Sequence, residues 1–409
     1  MITNRKMNMK EAFIVDYIRT PIGNFAGTLG AIRPDDLAAI VLKELMKRNS
    51  SIDTTLIADV IFGCANQAGE DNRNVARMAL LMAGLPVSVP GETINRLCAS
   101  GLSAAVNAAR VIMCGDADLM IAGGVENMTR GPWVMSKAST PYGRDAQLFD
   151  SSFGWRFVNP VMKEMYGTAS MGETAENLAD RDKVSRQDQD LFAYNSQIKA
   201  SRANERGRFK TEIVAVEIPR KKGGSLFFDT DEFIKPDSTI EGLAKLNTSF
   251  KKNGTVTAGN ASGLNDGAAA LLLSSAAGLK KFNLKPIAKI ISSAVIGVEP
   301  DIMGIGPVEA SNRALKKAGL SMDKIDIIEL NEAFAAQSLA CIRAWGLKDN
   351  DERINPNGGA IALGHPLGMS GARILGSAAL ELNDQNKRYA LVTMCIGVGQ
   401  GYAVVIEKV

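Results

Sequence analysis

Apolar residues recur at helical spacing over residues 35–48, and the wholly apolar segment Val60-Ile61-Phe62 follows. The alternation continues downstream: residues 74–83 predict a helix, 92–97 a strand, 99–114 a helix and 119–122 a buried strand. Strands that are apolar throughout, separated by helices, belong to a sheet covered on both faces. From residue 308 the order starts again. Residues 308–318 predict a helix, 325–330 a strand, 332–345 and 372–382 helices, and 389–394 and 402–406 strands.

The spacing repeats as well. Cys64 closes one apolar strand 34 residues before Cys98, and Asn331 closes its counterpart 34 residues before His365. The dipeptides Ile94-Asn95 and Ile354-Asn355 precede the second member of each pair, at different distances. A duplicated α/β unit accounts for this. Between the halves the character changes: residues 150–159 are aromatic and irregular, 174–206 polar and helical, and 220–253 rich in Lys, Asp, Gly and Ser. Such an insertion suits substrate-binding loops, although a helical lid without specificity has the same composition. The run Thr257-Ala258-Gly259-Asn260-Ala261-Ser262-Gly263 returns the chain to its first half.

Composition narrows the function. With 409 residues, 46% hydrophobic and 22% charged, the chain has ample core for two or three domains. A net charge of +3 gives no case for nucleic acid, and Arg220-Lys221-Lys222 and Lys251-Lys252 read as solvated loop residues rather than phosphate contacts. Five scattered cysteines without a CxxC pair argue for a reducing, cytoplasmic setting and against a disulfide framework. One histidine and no clustered ligands argue against a metal site. Residues 1–10 carry no apolar signal segment, the first eight read as a loose extension, and the apolar runs elsewhere read as too short for a membrane span.

The candidate chemistry lies in separate runs. Cys98, in Asn95-Arg96-Leu97-Cys98-Ala99-Ser100-Gly101, opens a helix of small residues, where unpaired N–H groups and the macrodipole are expected to lower its pKa. His365, the only histidine, sits in the glycine-rich turn ending Gly364-His365-Pro366, placed to take the cysteine's proton. Cys395, in Cys395-Ile396-Gly397-Val398-Gly399, offers a second sulfur beside a glycine turn. Two sulfurs and an imidazole are the parts for acyl transfer through a thioester. Each has a plainer reading: a core cysteine, a structural histidine, a hairpin with turn glycines. The last run lacks the GxGxxG spacing of a nucleotide loop.

These three runs, with Asn331-Glu332-Ala333-Phe334 between them, resemble the motifs of thiolases in the family's order, and the resemblance extends from Ala12 to Val409. It is nearest to thiolases of aromatic-acid catabolism, which cleave 3-oxoadipyl-CoA to succinyl-CoA and acetyl-CoA. The resemblance implies two βαβαβαββ halves in a five-layer αβαβα arrangement, with a loop domain inserted into the first. The expected domains are residues 1–128 plus 263–285, the insertion 129–262, and residues 286–409.

It also implies roles. Cys98 would be the nucleophile and His365 its base, with His365 and a water held by Asn331 donating to the thioester carbonyl. Cys395 would protonate the departing acetyl-CoA carbanion, or remove the α-proton in synthesis. The N–H groups of Gly397 and Cys98 would form an oxyanion hole. Coenzyme A would be a co-substrate with no permanently bound cofactor, in a channel touching Ser262, Ala258, Phe250, Met171 and Lys235. Ala333 and Phe334 are expected to follow Asn331 into its helix and line the pocket. Many acetoacetyl-type thiolases carry a histidine where this chain has Ser170. A dicarboxylate chain needs a cation, and Arg130 and Arg156 are the candidates, with Ser170 leaving polar room. A homodimer or homotetramer is expected on the resemblance alone. The alternatives are an acetoacetyl-CoA or medium-chain 3-ketoacyl-CoA thiolase, a decarboxylating ketoacyl synthase, which would need a second histidine or an asparagine in place of Cys395, and a non-catalytic CoA or lipid binder.

Overall fold

The structure, a computed structural model, describes residues 9–220 and 223–409. The extension expected over the first eight residues, and Lys221 and Lys222 of the basic run, lie outside the described residues.

Strand β1 (Ala12–Arg19) and the two-residue β2 (Gly23–Asn24) lead into α1 (Pro34–Arg48). That helix opens on proline, whose missing N–H costs nothing there, and places Asp35 and Asp36 in its first turn and Lys47 and Arg48 in its last. Next come β3 (Val60–Gly63), α2 (Val75–Met82), β4 (Gly91–Ile94), α3 (Ser100–Cys114) and β5 (Leu119–Asn127). The strand expected to stop at residue 122 runs on to Asn127, and all nine of its residues are buried.

The inserted stretch holds two small hairpins, β6 (Trp133–Met135) with β7 (Leu148–Asp150) and β8 (Val216–Pro219) with β9 (Ser225–Phe228). It also carries α4 (Pro160–Tyr166), α5 (Met171–Asp182), α6 (Arg186–Glu205) and α7 (Ile240–Ala244). The single helical stretch expected over 174–206 is two helices, because Lys183 turns left-handed and Ser185 starts a new capping box.

The chain re-enters the sheet through β10 (Asn265–Ser275), then forms α8 (Ala276–Phe282), β11 (Ala288–Gly297), α9 (Gly306–Ala318), β12 (Ile327–Leu330) and α10 (Ala335–Ala344). It finishes with α11 (Ala360–Leu363), α12 (Leu367–Asp384), β13 (Tyr389–Ile396) and β14 (Gln400–Lys408).

Strand order displays the duplication. The first half reads β4-β3-β5-β10-β1 and the second β12-β13-β14-β11. A parallel bridge between Ile328 and Ile354 stands where β4 stands in the first half. The halves are sewn into one ten-stranded sheet by β1 and β11, which pair from Ala12 with Ile290 to Ile14 with Ala288. Helices α3 and α12 pack on each other, α3 on strands of the first half and α12 on strands of both, whereas α1 covers β5 and β10 and α9 covers β11 and β14. Three apolar cores result: a central one around α3 and α12, and an outer one on each side. These are the five expected layers, with the two sheets joined at a seam. The segment Leu97–Cys114 is long and apolar enough by length and composition to cross a membrane, contrary to the expectation that every such run is too short; here it is the mostly buried central helix.

Glycines let the central pair approach at backbone distance. A Cβ on Gly101 would lie 2.5 Å from the Gly368 carbonyl oxygen, and one on Gly368 would strike the Val125 carbonyl and come within 2.7 Å of that of Gly63. Because these neighbours are backbone, Gly368→Ala should lower stability by roughly 3 kcal/mol, the upper end of overpacking costs. Gly242→Ala, whose nearest neighbour is the Thr239 hydroxyl at 3.1 Å, should be close to neutral. Denaturant midpoints of the two variants check the contrast.

Candidate active site

Cys98 stands on a hard turn between β4 and α3. The Asn95 side chain accepts the Leu97 N–H (2.8 Å) and donates to the Ala65 carbonyl (2.9 Å). The Ser100 hydroxyl accepts the Arg96 N–H (2.9 Å) and donates to the Leu97 carbonyl (2.7 Å). Leu97 is thereby held at φ 48°, a strained value for a leucine and one that lifts the next residue to the crest of the turn. The turn packs on both α12 and β13. The Gly397 N–H and the N–H of Cys98 itself favour a thiolate, but burial outweighs them and pushes the thiol up to about 11. The expected lowering does not occur in the resting protein, because desolvation exceeds what two N–H groups return.

His365 enters from the second half. Gly364 sits at φ 102°, and a side chain there would collide with Asn265, whose amide oxygen accepts the His365 backbone N–H (2.9 Å). The ring Nδ1 lies 2.6 Å from the Ser370 hydroxyl, which donates its one proton to the Pro366 carbonyl (2.8 Å). Nδ1 therefore carries the ring hydrogen, and Nε2 offers a lone pair to the Asn331 amide nitrogen, 3.4 Å away. Burial, with a smaller effect from the Arg373 charge, lowers the imidazole pKa to about 3, so the ring is neutral across the physiological range.

Asn331 follows β12 and is wholly buried, its N–H bonded to the Thr393 carbonyl and its Oδ1 without a partner among the described residues. Cys395, in β13, is buried too; burial and the neighbouring Cys98 sulfur push its thiol far up. Gly397 faces Leu97 and Met171, where a Cβ would stand 3.3 Å and 3.5 Å away. One apolar cluster joins Cys395, Ala333 and Phe334 with Met171 at the start of α5.

Ala333 and Phe334 do not follow Asn331 into a helix. Phe334 is extended and bridges Ala261, and α10 begins only at Ala335. Ser262 gives both its N–H and its hydroxyl to the Ala333 carbonyl, at 3.0 Å each. Phe250 is partly exposed, edge-on to Phe334 at 6.2 Å, and leans over Gly172. Ala258 and Lys235 lie at the surface, the Lys235 amine 5.0 Å from the Phe233 ring.

The two candidate arginines separate clearly. Arg130 is paired with Glu70 through Nη2 (2.7 Å) and Nε, and Nη1 reaches the Gly30 carbonyl. Arg130 and Glu70 line a polar cavity of about 560 Å³ whose wall includes none of Cys98, Asn331, His365 or Cys395. Arg156 is half-buried, touches only the Asn66 amide oxygen (3.0 Å) and the Ser151 carbonyl (3.4 Å), and has no carboxylate partner among the described residues. Asn66 adjoins Ala65, whose carbonyl holds Asn95, and Trp155 bonds the Ala169 carbonyl beside Met171. Ser170 does not stand free in the pocket: its hydroxyl caps α5 by accepting the Glu173 N–H.

Ser370 and Asn265 were not among the residues singled out in the sequence. A serine one helical turn beyond Pro366 was a visible signal; Asn265, a hundred residues from its partner, gave none.

Family models described as "Thiolase, N-terminal domain" and "Thiolase, C-terminal domain" match residues 12–277 and 284–408. The chain is similar to the 3-oxoadipyl-CoA/3-oxo-5,6-dehydrosuberyl-CoA thiolase of Escherichia coli strain K12, with 57% identity over 401 residues, 98% of this chain and 100% of that one. It is 55% identical over 401 residues, with the same coverage, to a beta-ketoadipyl-CoA thiolase of Acinetobacter baylyi. In structure it resembles the acetyl-CoA acetyltransferase of Bacillus anthracis, with a TM-score of 0.91 at 38% identity, over 99% of this chain and 100% of that one.

With one histidine in the chain, its ring titration can be followed by NMR without assignment. The ring should remain the Nδ1–H tautomer and uncharged down to pH 5, where a free imidazole is mostly protonated. Ser370→Ala removes the bond that fixes the tautomer and should slow turnover about tenfold, the worth of one neutral hydrogen bond, with the Nε2–H tautomer appearing in the spectrum.

Proposed function

This chain belongs to the thiolase family, and from that premise we propose that it cleaves 3-oxoadipyl-CoA with coenzyme A as co-substrate, yielding succinyl-CoA and acetyl-CoA. The observation that carries the chemistry is the meeting of four segments: the Cys98 turn, the Asn331–His365 pair, Cys395, and the Gly397 N–H directed at the Cys98 sulfur.

His365 Nε2 takes the proton of Cys98 as the sulfur attacks C3 of the substrate. The C3 oxygen that gains charge faces the N–H groups of Cys98 and Gly397, while the new imidazolium N–H, with a water held by Asn331, donates to the CoA thioester carbonyl, whose oxygen takes up the charge in the next step. The C2–C3 bond then breaks, and the electron pair leaves as the acetyl-CoA enolate, which takes its proton from Cys395. The acyl group remains on Cys98 as a thioester, its carbonyl received by the N–H groups of Cys98 and Gly397, donors each worth roughly 3–4 kcal/mol of transition-state stabilisation. The Cys395 thiolate deprotonates incoming CoA, which attacks the thioester, and His365 returns its proton to Cys98. Protons and electrons balance over the cycle.

The dry setting suits this order. A thiol held up and an imidazole held down form no ion pair at rest, so proton transfer awaits the thioester. Met171, Phe250, Ala333, Phe334 and Ser262 line the approach for the pantetheine arm, with Ala258 and Lys235 farther out. Arg156, without a carboxylate partner among the described residues and set between Met171's neighbours and the Cys98 turn, is the partner for the distal carboxylate. Arg130 is already neutralised by Glu70. We also place the enzyme in the cytoplasm, in keeping with five unbridged cysteines, and as a homo-oligomer, to which the outer strand β4 and the exposed Met78, Leu81 and Met82 of neighbouring α2 offer a surface.

Intact mass after mixing with acetyl-CoA should show one acetyl adduct, absent from Cys98→Ala. Cys395→Ala should keep the adduct and lose thiolysis; a Cys395 variant cleaving at full rate would remove that residue from the scheme. Across 3-oxoadipyl-CoA, acetoacetyl-CoA and longer neutral substrates, kcat/KM should be highest for the first. Arg156→Met should lower that value alone by roughly 2–5 kcal/mol, the cost of an unpaired buried charge. Equal losses on acetoacetyl-CoA would make Arg156 structural.

A further inference from the structure

We propose that Glu126 is a positioning residue for this reaction: one buried carboxylate that holds the Cys98 turn and the His365 helix together, and that must be ionised for turnover. The inference rests on the reading that Cys98 and His365 react, and not on the identity of the acyl chain.

Glu126 lies near the end of β5 and is 2% exposed. Its Oε2 accepts the backbone N–H groups of Ala65 (2.9 Å) and Gly368 (2.8 Å), and Oε1 accepts that of Asn66 (3.0 Å). The Ala65 carbonyl holds Asn95, which fixes Leu97 beside the nucleophile. Gly368 is the second residue of α12, three beyond His365 and two before Ser370. A single side chain thus bonds the loop behind one reacting group and the helix behind the other, across 242 residues of sequence.

The groups facing it are few. Asp71 and Cys64 come from the loop after β3, and Cys98 from the turn before α3. The β10 residue opposite is Gly267, and α12 offers the Gly368 N–H. Cys64, Asp71 and Glu126 stand close enough to suggest a metal site. Their oxygens are, however, already taken by hydrogen: Asp71 accepts the Gly69 and Gln67 N–H groups and the Cys64 thiol. This cluster is built for N–H donors, and Asp71 supplies a like charge beside Glu126.

Ionisation matters because both oxygens already receive N–H groups. Oε2 already accepts two N–H groups and has no lone pair left for a proton, and a proton on Oε1 cancels the negative charge that strengthens all three bonds, so protonation loosens the Cys98 turn and the start of α12. Burial, helped by Asp71, raises the Glu126 pKa to about 7. The clamp is therefore engaged above about pH 7 and released below it. His365 and the two reacting thiols titrate well outside this window.

The test is kcat/KM for acetoacetyl-CoA thiolysis from pH 5.5 to 8.5 in the wild-type enzyme, Glu126→Gln and Asp71→Asn. The wild type should fall toward about tenfold per pH unit below pH 7, as for one essential base. Glu126→Gln should be flat over that range, at about a tenth or less of the wild-type plateau. Asp71→Asn leaves Glu126 and its three N–H partners unsubstituted, gives up one acceptor in the loop after β3, removes the like charge and should shift the acid limb down by about one unit, so it decides the matter even where Glu126→Gln does not fold. An unchanged limb in either variant overturns the proposal. If Cys98→Ala still formed an acyl adduct, the underlying reading would fail instead.

Discussion

The contact between α3 and α12 governs the rest of the molecule. Two helices from opposite halves meet at backbone distance because Gly101, Gly368 and Gly371 carry no side chains and Gly63 and Gly124 clear the sheet beneath them. Cys98 precedes the first helix and His365 the second, so the closeness of this pair sets the geometry of the reacting groups. Glycine in a helix interior costs stability relative to alanine, by about 1 kcal/mol. Here that cost is accepted where the two halves must interlock.

Dryness is the second constraint, and it follows from the first. Cys395 and His365 are buried and Cys98 is half-buried, so desolvation sets their protonation more than any neighbouring charge does. The site rests uncharged, with hydrogen-bond donors already aimed where charge develops during the reaction. What would be a weak nucleophile and a weak base in isolation become competent once a thioester supplies the oxygen that receives the displaced charge.

Much of this was legible in the sequence, and the exceptions share a cause. Cys98, His365 and Cys395 stood out because each lies in a short run with its own glycines, Asn331 because it completes the thiolase-like motifs, and the duplication showed as two 34-residue intervals. Residues that act through long-range hydrogen bonds did not. Asn265 and Glu126 reach partners 100 and 242 residues away, and no local pattern marks them. The stretch after Asn331 has helical spacing, yet Phe334 is extended because Ala261 and Ser262 pair with it, a tertiary contact overriding local preference. Arg130 and Arg156 looked equivalent until Glu70, distant in sequence, proved to occupy one of them.

The seam between β1 and β11 has a bearing on how the chain is made. β1 leaves the ribosome well before either of its sheet neighbours, Ala12 pairing with Ser275 on one edge and Ile290 on the other. At synthesis rates of about 5–20 residues per second, β1 waits roughly 15–50 s with both edges open. Six of its eight residues are apolar, a composition apt to join a stray strand in the meantime. Biosynthesis of this enzyme thus contains a built-in interval of vulnerability, ended only when the second half arrives, and its yield in a cell should depend on holdase chaperones far more than its final stability would suggest.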